Sequence, residues 1–130
     1  KMTMNPLKAI MQQAVSGMQL ESQRITVAAE NISNVDTPGY KKKMLLIDPQ
    51  GTSADQFAAM KQILDETPGQ RDYNPSHPMA DDDGYVTMSN VSLIMEMADL
   101  RGANRTYEAN LNAFQQARSM YTSLLDILRR

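Results

Sequence analysis

The chain has 130 residues, no cysteine, and a net charge of −2 from 13 Lys+Arg against 15 Asp+Glu. That length is one domain's worth of material. The charge balance argues against a generic nucleic-acid or anionic-membrane binder, and the missing thiols exclude disulfides and thiolate metal sites.

No apolar run approaches the ~20 residues a membrane-spanning helix needs. The first twenty residues hold neither an uninterrupted apolar stretch nor an A-x-A site, so no cleaved secretory signal is expected. There are no tryptophans, two Phe, five Tyr and eleven Met. Aromatic anchors usually dominate compact cores, whereas methionine adapts to irregular partner surfaces. This composition favours helix-on-helix packing, including packing between chains. Charge is also uneven. Residues 1–43 carry six basic and three acidic groups, residues 44–90 two and eight, and residues 91–130 five and four. Such asymmetry suits either complementary packing between copies or a solvated acidic loop.

Residues 5–33 read as a helix, with Asn5 at the N-cap and Pro6 at the first helical position. Alternating steps of four and three from Leu7 land on Leu7, Met11, Ala14, Met18, Glu21, Ile25, Ala28 and Ile32. Seven of these eight are apolar, a heptad seam. Gly17 lowers helix propensity by ~1 kcal/mol relative to Ala but permits close helix approach.

"NISNVDTPGY" then ends the helix. Asn34 tolerates the left-handed conformation that commonly terminates helices. Asp36 is suited to bonding the backbone of the next turn. Thr37 is pushed to extended backbone by Pro38. Pro38-Gly39 fit the central positions of a type II turn, with positive φ at Gly39. Tyr40 is placed to pack back on the helices, and Lys41–Lys43 keep the exit solvated.

Residues 34–90 hold every proline except Pro6. Lys43–Asp48 reads as a short strand closed by a Pro-x-Gly turn. "SADQFAAMKQILDE" has helical spacing through Phe57, Met60 and Leu64, or is a partly ordered loop. "TPGQRDYNPSHPMADDDGYVTM" is turn chemistry, with Gly84 leading into a short strand at Tyr85–Met88. The two strands are expected to pair as a small hairpin-like unit.

Residues 91–129 form a second, longer helix capped by Asn90 or Ser89. The same spacing gives Leu93, Met97, Leu100, Asn104, Tyr107, Leu111, Phe114, Arg118, Tyr121, Leu125 and Leu128, nine of eleven apolar or aromatic. Asn104 and Arg118 either set register, as polar seam residues do, or lie at the stripe's edge. The fold class is therefore mainly α: long N- and C-terminal amphipathic helices packed as a coiled-coil-like pair, with a small irregular or β middle. The divisions are 1–40, 41–88 and 89–130.

No catalytic constellation is present. His77 is a lone histidine in a Pro-bracketed loop, the serines have no nucleophile-elbow motif, and no Gly-rich phosphate cradle occurs. "MADDDG" lacks the first and last acids of an EF-hand loop and reads as a turn. No cofactor, metal or small-molecule substrate is expected, and no nucleic acid.

The combination of blocks resembles the flagellar basal-body rod and hook proteins. Their A-x-N-I-S-N-x-x-T-P-G-Y signature falls on Ala29, Asn31, Ile32, Ser33, Asn34, Thr37, Pro38, Gly39 and Tyr40. Residues 73–91 and 103–128, together with the short length, resemble the proximal-rod members of that family. The likeness covers residues 5–128 and is weakest over 44–70.

The resemblance implies a structural subunit of the periplasmic rod that assembles helically with copies of itself and with other rod proteins. It also implies passage through the flagellar type III export apparatus with an uncleaved signal. The seam residues Leu7, Met11, Met18, Ile25, Ile32, Leu100, Tyr107, Leu111, Phe114, Tyr121 and Leu125 are then the expected subunit contacts. The turn of Asn31, Asn34, Thr37, Pro38, Gly39 and Tyr40 is expected to fix where the chain leaves the helical layer. The competing readings are a soluble helical adaptor or export chaperone, and a small enzyme or metal-binding domain.

Overall fold

A computed structural model describes residues 5–47 and 60–130. Its elements are α1 (Pro6–Ser33), β1 (Lys43–Ile47), β2 (Met60–Leu64), β3 (Arg71–Tyr73), β4 (Tyr85–Thr87) and α2 (Leu93–Leu128). The Pro-x-Gly turn after Ile47 and the position of Phe57 lie outside the described residues.

α1 starts as its sequence dictates. The Asn5 side chain accepts a hydrogen bond from Leu7 N at 2.9 Å, and Pro6 supplies no orphan donor. At 1.5 Å per residue its 28 residues extend about 42 Å, and the 36 of α2 about 54 Å. The two helices are antiparallel partners: Asn31 meets Glu96, Gly17 meets Asn110, and Lys8 sits over Tyr121.

The cap of α2 differs from the expectation. Ser92 takes that role, its hydroxyl facing Met95 N. Ser89 and Asn90 lie upstream and tie loops together instead. The Ser89 hydroxyl donates to Val35 O. Asn90 Oδ1 accepts from Lys42 N at 2.6 Å, while its amide donates to Asp65 O and Thr67 O, each at 2.8 Å.

The middle also corrects the sequence reading. Met60–Leu64 is a strand, neither helix nor loop, and pairs antiparallel with β1 from Lys43↔Leu64 to Ile47↔Met60. The strand after Gly84 pairs with β3 rather than with β1, in register Arg71↔Thr87 to Tyr73↔Tyr85. Backbone pairing decides the first case. Met60 and Ile63 are half-buried while Lys61, Gln62 and Leu64 are exposed, a spacing that does not alternate, and it is the antiparallel ladder with β1 that holds the segment extended. Tyr73 and Tyr85 then meet edge-on at 5.2 Å between centroids, and the Arg71 guanidinium lies 4.6 Å from the Tyr85 ring centre. Asp81 closes the turn, its carboxylate accepting from Asp83 N and Tyr85 N. Those hydrogen bonds and Arg71 hold its pKa below the ordinary carboxylate range.

The core is thin. Among the described residues the buried apolar ones are Ala14, Leu20, Val27, Ala28, Val86, Ala103 and Ala117, four of them alanines. The line of α2 that faces α1 therefore runs through Glu96, Ala103, Asn110 and Ala117, one residue before the column Met97, Asn104, Leu111 and Arg118. Asn104 and Arg118 are exposed and lie at the stripe's edge. The close approach has a steric requirement at Gly17, where a Cβ would come within 2.7–2.9 Å of the Asn110 amide.

Candidate assembly site

Two features distinguish this molecule: a buried polar node beneath the signature turn, and long apolar flanks left uncovered beside the helix seam.

The node is built from the end of α1. Asn31 is 1% exposed and uses its whole side-chain amide. Its Oδ1 accepts from Tyr40 Oη at 2.8 Å and from Lys43 N at 3.0 Å. Its Nδ2 donates to Lys43 O at 3.0 Å and to Glu96 Oε1 at 2.8 Å. Asn31 thus imitates a strand partner for Lys43, fixing where β1 begins, and also grips α2. Glu96 is 2% exposed, with Lys42 Nζ 3.4 Å from the same carboxylate oxygen. Lys43 Nζ pairs with Glu30 Oε1 at 2.6 Å, and that hydrogen bond raises the lysine's pKa. Burial, then the negative charge of Glu30, pushes the pKa of the Tyr40 hydroxyl upward. Leaving a buried polar group of this kind unpaired costs about 1–3 kcal/mol.

The turn over the node is held from outside as well. Tyr40 N donates to Thr37 O at 3.2 Å and Gly39 N to Thr87 O at 2.9 Å. Gly39 has φ 76°, as the type II geometry requires. Asn34 does not adopt the left-handed conformation expected of it. It closes α1 at φ −110°, ψ 15°, with its amide donating to Glu30 O and its Oδ1 accepting from Thr37 Oγ1. Side-chain hydrogen bonds stop this helix without positive φ. Pro38 is half-buried and Thr37 exposed.

Leu7, Met11, Met18, Ile25, Ile32, Leu100, Tyr107, Leu111, Phe114 and Tyr121 are all half-buried, and Leu125 is exposed. They flank the seam rather than fill it. Ile10 and Val15 on α1, and Leu93, Ile94, Met95, Met97, Met120, Leu124, Ile127 and Leu128 on α2, are also exposed. Monomeric proteins rarely leave contiguous apolar surface on this scale uncovered.

Glu96 is the residue that sequence reading missed. It sits one position from the Met97 seam site, and a charged residue beside a stripe normally reads as solvent-facing. Glu21 was an exception within the apolar seam, and the structure buries it. Burial raises its pKa, opposed by Arg24 at 3.5 Å. Among the described residues no group of three or more His, Cys, Asp or Glu is placed to hold a metal ion. None of the described helices is long and apolar enough to cross a membrane. His77 Nδ1 accepts from Met79 N within its own loop.

These features coincide with two family matches. A family model described as "Flagella basal body rod protein" matches residues 11–41, spanning α1 and the signature turn. Another, "Flagellar basal body rod FlgEFG protein C-terminal", matches residues 82–127, spanning β4 and nearly all of α2. Curated relatives match almost end to end. The flagellar basal-body rod protein FlgC of Agrobacterium fabrum is 35% identical, covering 97% of this chain and 98% of its own. This chain belongs to the FlgC family of flagellar basal-body rod proteins. The FlgC proteins of Salmonella typhimurium (29% identical; 88% of this chain, 92% of the relative) and Borreliella burgdorferi (30%; 89% and 93%) are similar over nearly the same span. Membership makes the chain a structural subunit of the bacterial flagellar basal-body rod, not an enzyme. A chaperone or adaptor reading has no place for the Asn31–Tyr40 signature that both the matches and the node share.

Proposed function

We propose that this FlgC-family subunit enters the proximal rod by pairing α1 with α2 and then covering the flanks of that pair with other subunits, its own copies and other rod proteins. The observation that carries this reading is the mismatch between seam and stripe. The intrachain seam is lined by Ala14, Gly17, Ala28, Ala103 and Ala117, while the bulky residues Leu7, Met11, Met18, Ile25, Ile32, Leu100, Tyr107, Leu111, Phe114, Tyr121 and Leu125 remain only partly covered or exposed. Fully burying one such side chain contributes about 1.5–3 kcal/mol. Repeated along a shaft, those contacts resist the torque the rod transmits.

The signature turn has a separate role. Asn31, Asn34, Thr37, Pro38, Gly39 and Tyr40 direct the chain out of the helical layer at a fixed angle, so that the β-ribbons lie outside the packed helices. Before assembly the flanks have no partners, and helices held chiefly by an alanine seam are marginal in water. A loosely ordered free subunit suits passage through the flagellar export apparatus.

The test is a strain lacking the chromosomal copy, complemented with Met97→Asp or Leu125→Asp. Both positions are exposed in the single molecule, so expression and export are expected to be normal while the rod fails to form and the cells do not swim. Normal swimming by both variants would remove the flanks from the assembly surface.

A further inference from the structure

We propose that Glu96 is a register-setting residue: its carboxylate captures the Asn31 amide so that α1 and α2 pair in one alignment among several that their seam accepts. The proposal rests on the reading that this helix pair is the unit entering the rod.

The seam by itself is permissive. On α2 the facing line recurs every seven residues as Glu96, Ala103, Asn110 and Ala117. On α1 the facing positions Ala14, Glu21 and Ala28 recur likewise, as do Gly17, Arg24 and Asn31. Ala14, Ala28, Ala103 and Ala117 are each 3–4% exposed and interchangeable in shape. Consider α2 shifted by one heptad along α1. Ala103 then comes level with Gly17, a small residue on a small one. Glu96 comes level with Arg24, an opposite charge. Within the seam neither sterics nor charge forbids that arrangement, although it also parts Ser89 from Val35 and Asn90 from Lys42.

The shift does take Asn31 beyond the start of α2, where its amide loses Glu96 Oε1, now 2.8 Å away. Asn31 cannot follow, because Lys43 N, Lys43 O and Tyr40 Oη hold it to the turn and to β1. Glu96 therefore joins the alignment of the long helix to the point where the chain exits the helical layer. Buried polar groups at helix seams have this aligning role in other helical assemblies. The Lys42 ammonium, 3.4 Å from the same oxygen, offers a rival account in which Glu96 only neutralises a lysine, and the experiment separates the two.

The natural chain has no cysteine, so thiol cross-linking starts from a clean background. Lys8→Cys with Tyr121→Cys, replacing a pair whose ammonium lies 5.5 Å from the ring centroid, reports the native alignment in whole cells with a short bis-maleimide. Lys8→Cys with Phe114→Cys reports the slipped one, because seven residues shift the helix by about 10 Å. Three changes are placed in each background.

Glu96→Gln keeps an acceptor for Asn31 and removes the charge facing Lys42, and is expected to retain the native cross-link. Asn31→Asp sets two carboxylates against each other and is expected to lose it by at least about tenfold, with the slipped cross-link rising. Asn31→Asp/Glu96→Gln restores a donor facing an acceptor and is expected to recover most of the native cross-link. Both chains carrying Asn31→Asp lack the donor to Lys43 O, so their difference isolates the contact with position 96. The proposal is overturned if the double variant does no better than Asn31→Asp, whether both retain the native cross-link or both lose it. It is equally overturned if Glu96→Gln alone loses the cross-link. Cross-linking within the chain does not depend on rod formation. Failure of the assembly reading would instead appear as native cross-links in a subunit missing from isolated basal bodies.

Discussion

Gly39→Val tests the turn with little else disturbed. A Cβ built at Gly39 meets nothing within 4 Å, so the substitution introduces no clash and acts through the backbone. Gly39 has φ 76°, where an L-residue costs about 1–2 kcal/mol, with a β-branched side chain at the unfavourable end. The chain can escape that strain only by turning the peptide over. Doing so gives up Tyr40 N→Thr37 O and Gly39 N→Thr87 O, two hydrogen bonds at about 1 kcal/mol each. Either route costs about 2 kcal/mol, a factor of roughly 30 in any equilibrium that needs the native turn. In cells co-producing tagged parent and variant at equal levels, the variant should enter isolated basal bodies about 30-fold less often. As sole copy it should abolish swimming with normal expression. Gly39→Asn should recover much of the loss, because asparagine tolerates positive φ. Equal incorporation of Gly39→Val, or full swimming, would refute the role assigned to the turn.

Purified subunit should show incomplete, weakly cooperative helicity by far-UV circular dichroism, whereas a sharp transition from full helicity would contradict the need for partners. Val86→Ala, at a site 2% exposed, removes two buried carbons and should lower the stability of the β3–β4 unit by about 1.6 kcal/mol, read by hydrogen exchange in β4. Glu21 binds its proton more tightly folded than unfolded because burial raises its pKa. Its contribution to stability is therefore fully present below the ordinary glutamate value and is lost as pH rises through the folded one. Glu21→Gln should flatten that slope in denaturant titrations of assembled rods and leave them more stable at neutral pH. Asp81 behaves oppositely: its lowered pKa contributes stability above the ordinary aspartate value that fades as pH falls through the folded one.

Helix positions were legible because both ends of the chain carry a seven-residue apolar rhythm broken only at Glu21, Asn104 and Arg118, and because Asn5-Pro6 and Pro38-Gly39 have narrow backbone preferences. The seam was legible only in part. Hydrophobicity marks the bulky flank, Leu100, Tyr107 and Phe114, but the seam is closed by buried Ala103 and by Gly17, which leaves room for the Asn110 amide. The middle was misread where local pattern and pairing conflict. Met60 and Leu64 repeat at helical spacing, yet five residues opposite β1 gain a ladder of backbone hydrogen bonds that a short isolated helix lacks. Asn34 was misassigned because its side chain, not its φ, ends α1.

Glu96 was hidden for a more general reason. A carboxylate beside an apolar stripe is ordinarily solvated, and only its partner's position says otherwise. That partner, Asn31, lies 65 residues away in sequence and looks ordinary until its four hydrogen bonds are counted together. The signature around Tyr40 thus encodes more than a stop to α1. Asn31 commits one donor to the distant helix and its other three bonds to Tyr40 of the turn and Lys43 of β1, so the same side chain ties both helices to the chain's exit. On the proposed reading, a subunit built this way separates two tasks. Bulky, half-covered residues supply adhesion to whatever neighbour lies alongside, which tolerates variation in shape. A small, fully bonded polar cluster centred on buried Asn31 and Glu96 supplies alignment, which does not. If that division holds, conservative apolar changes along Leu111 or Leu125 should weaken rods gradually, while single-atom changes at Asn31 should fail abruptly.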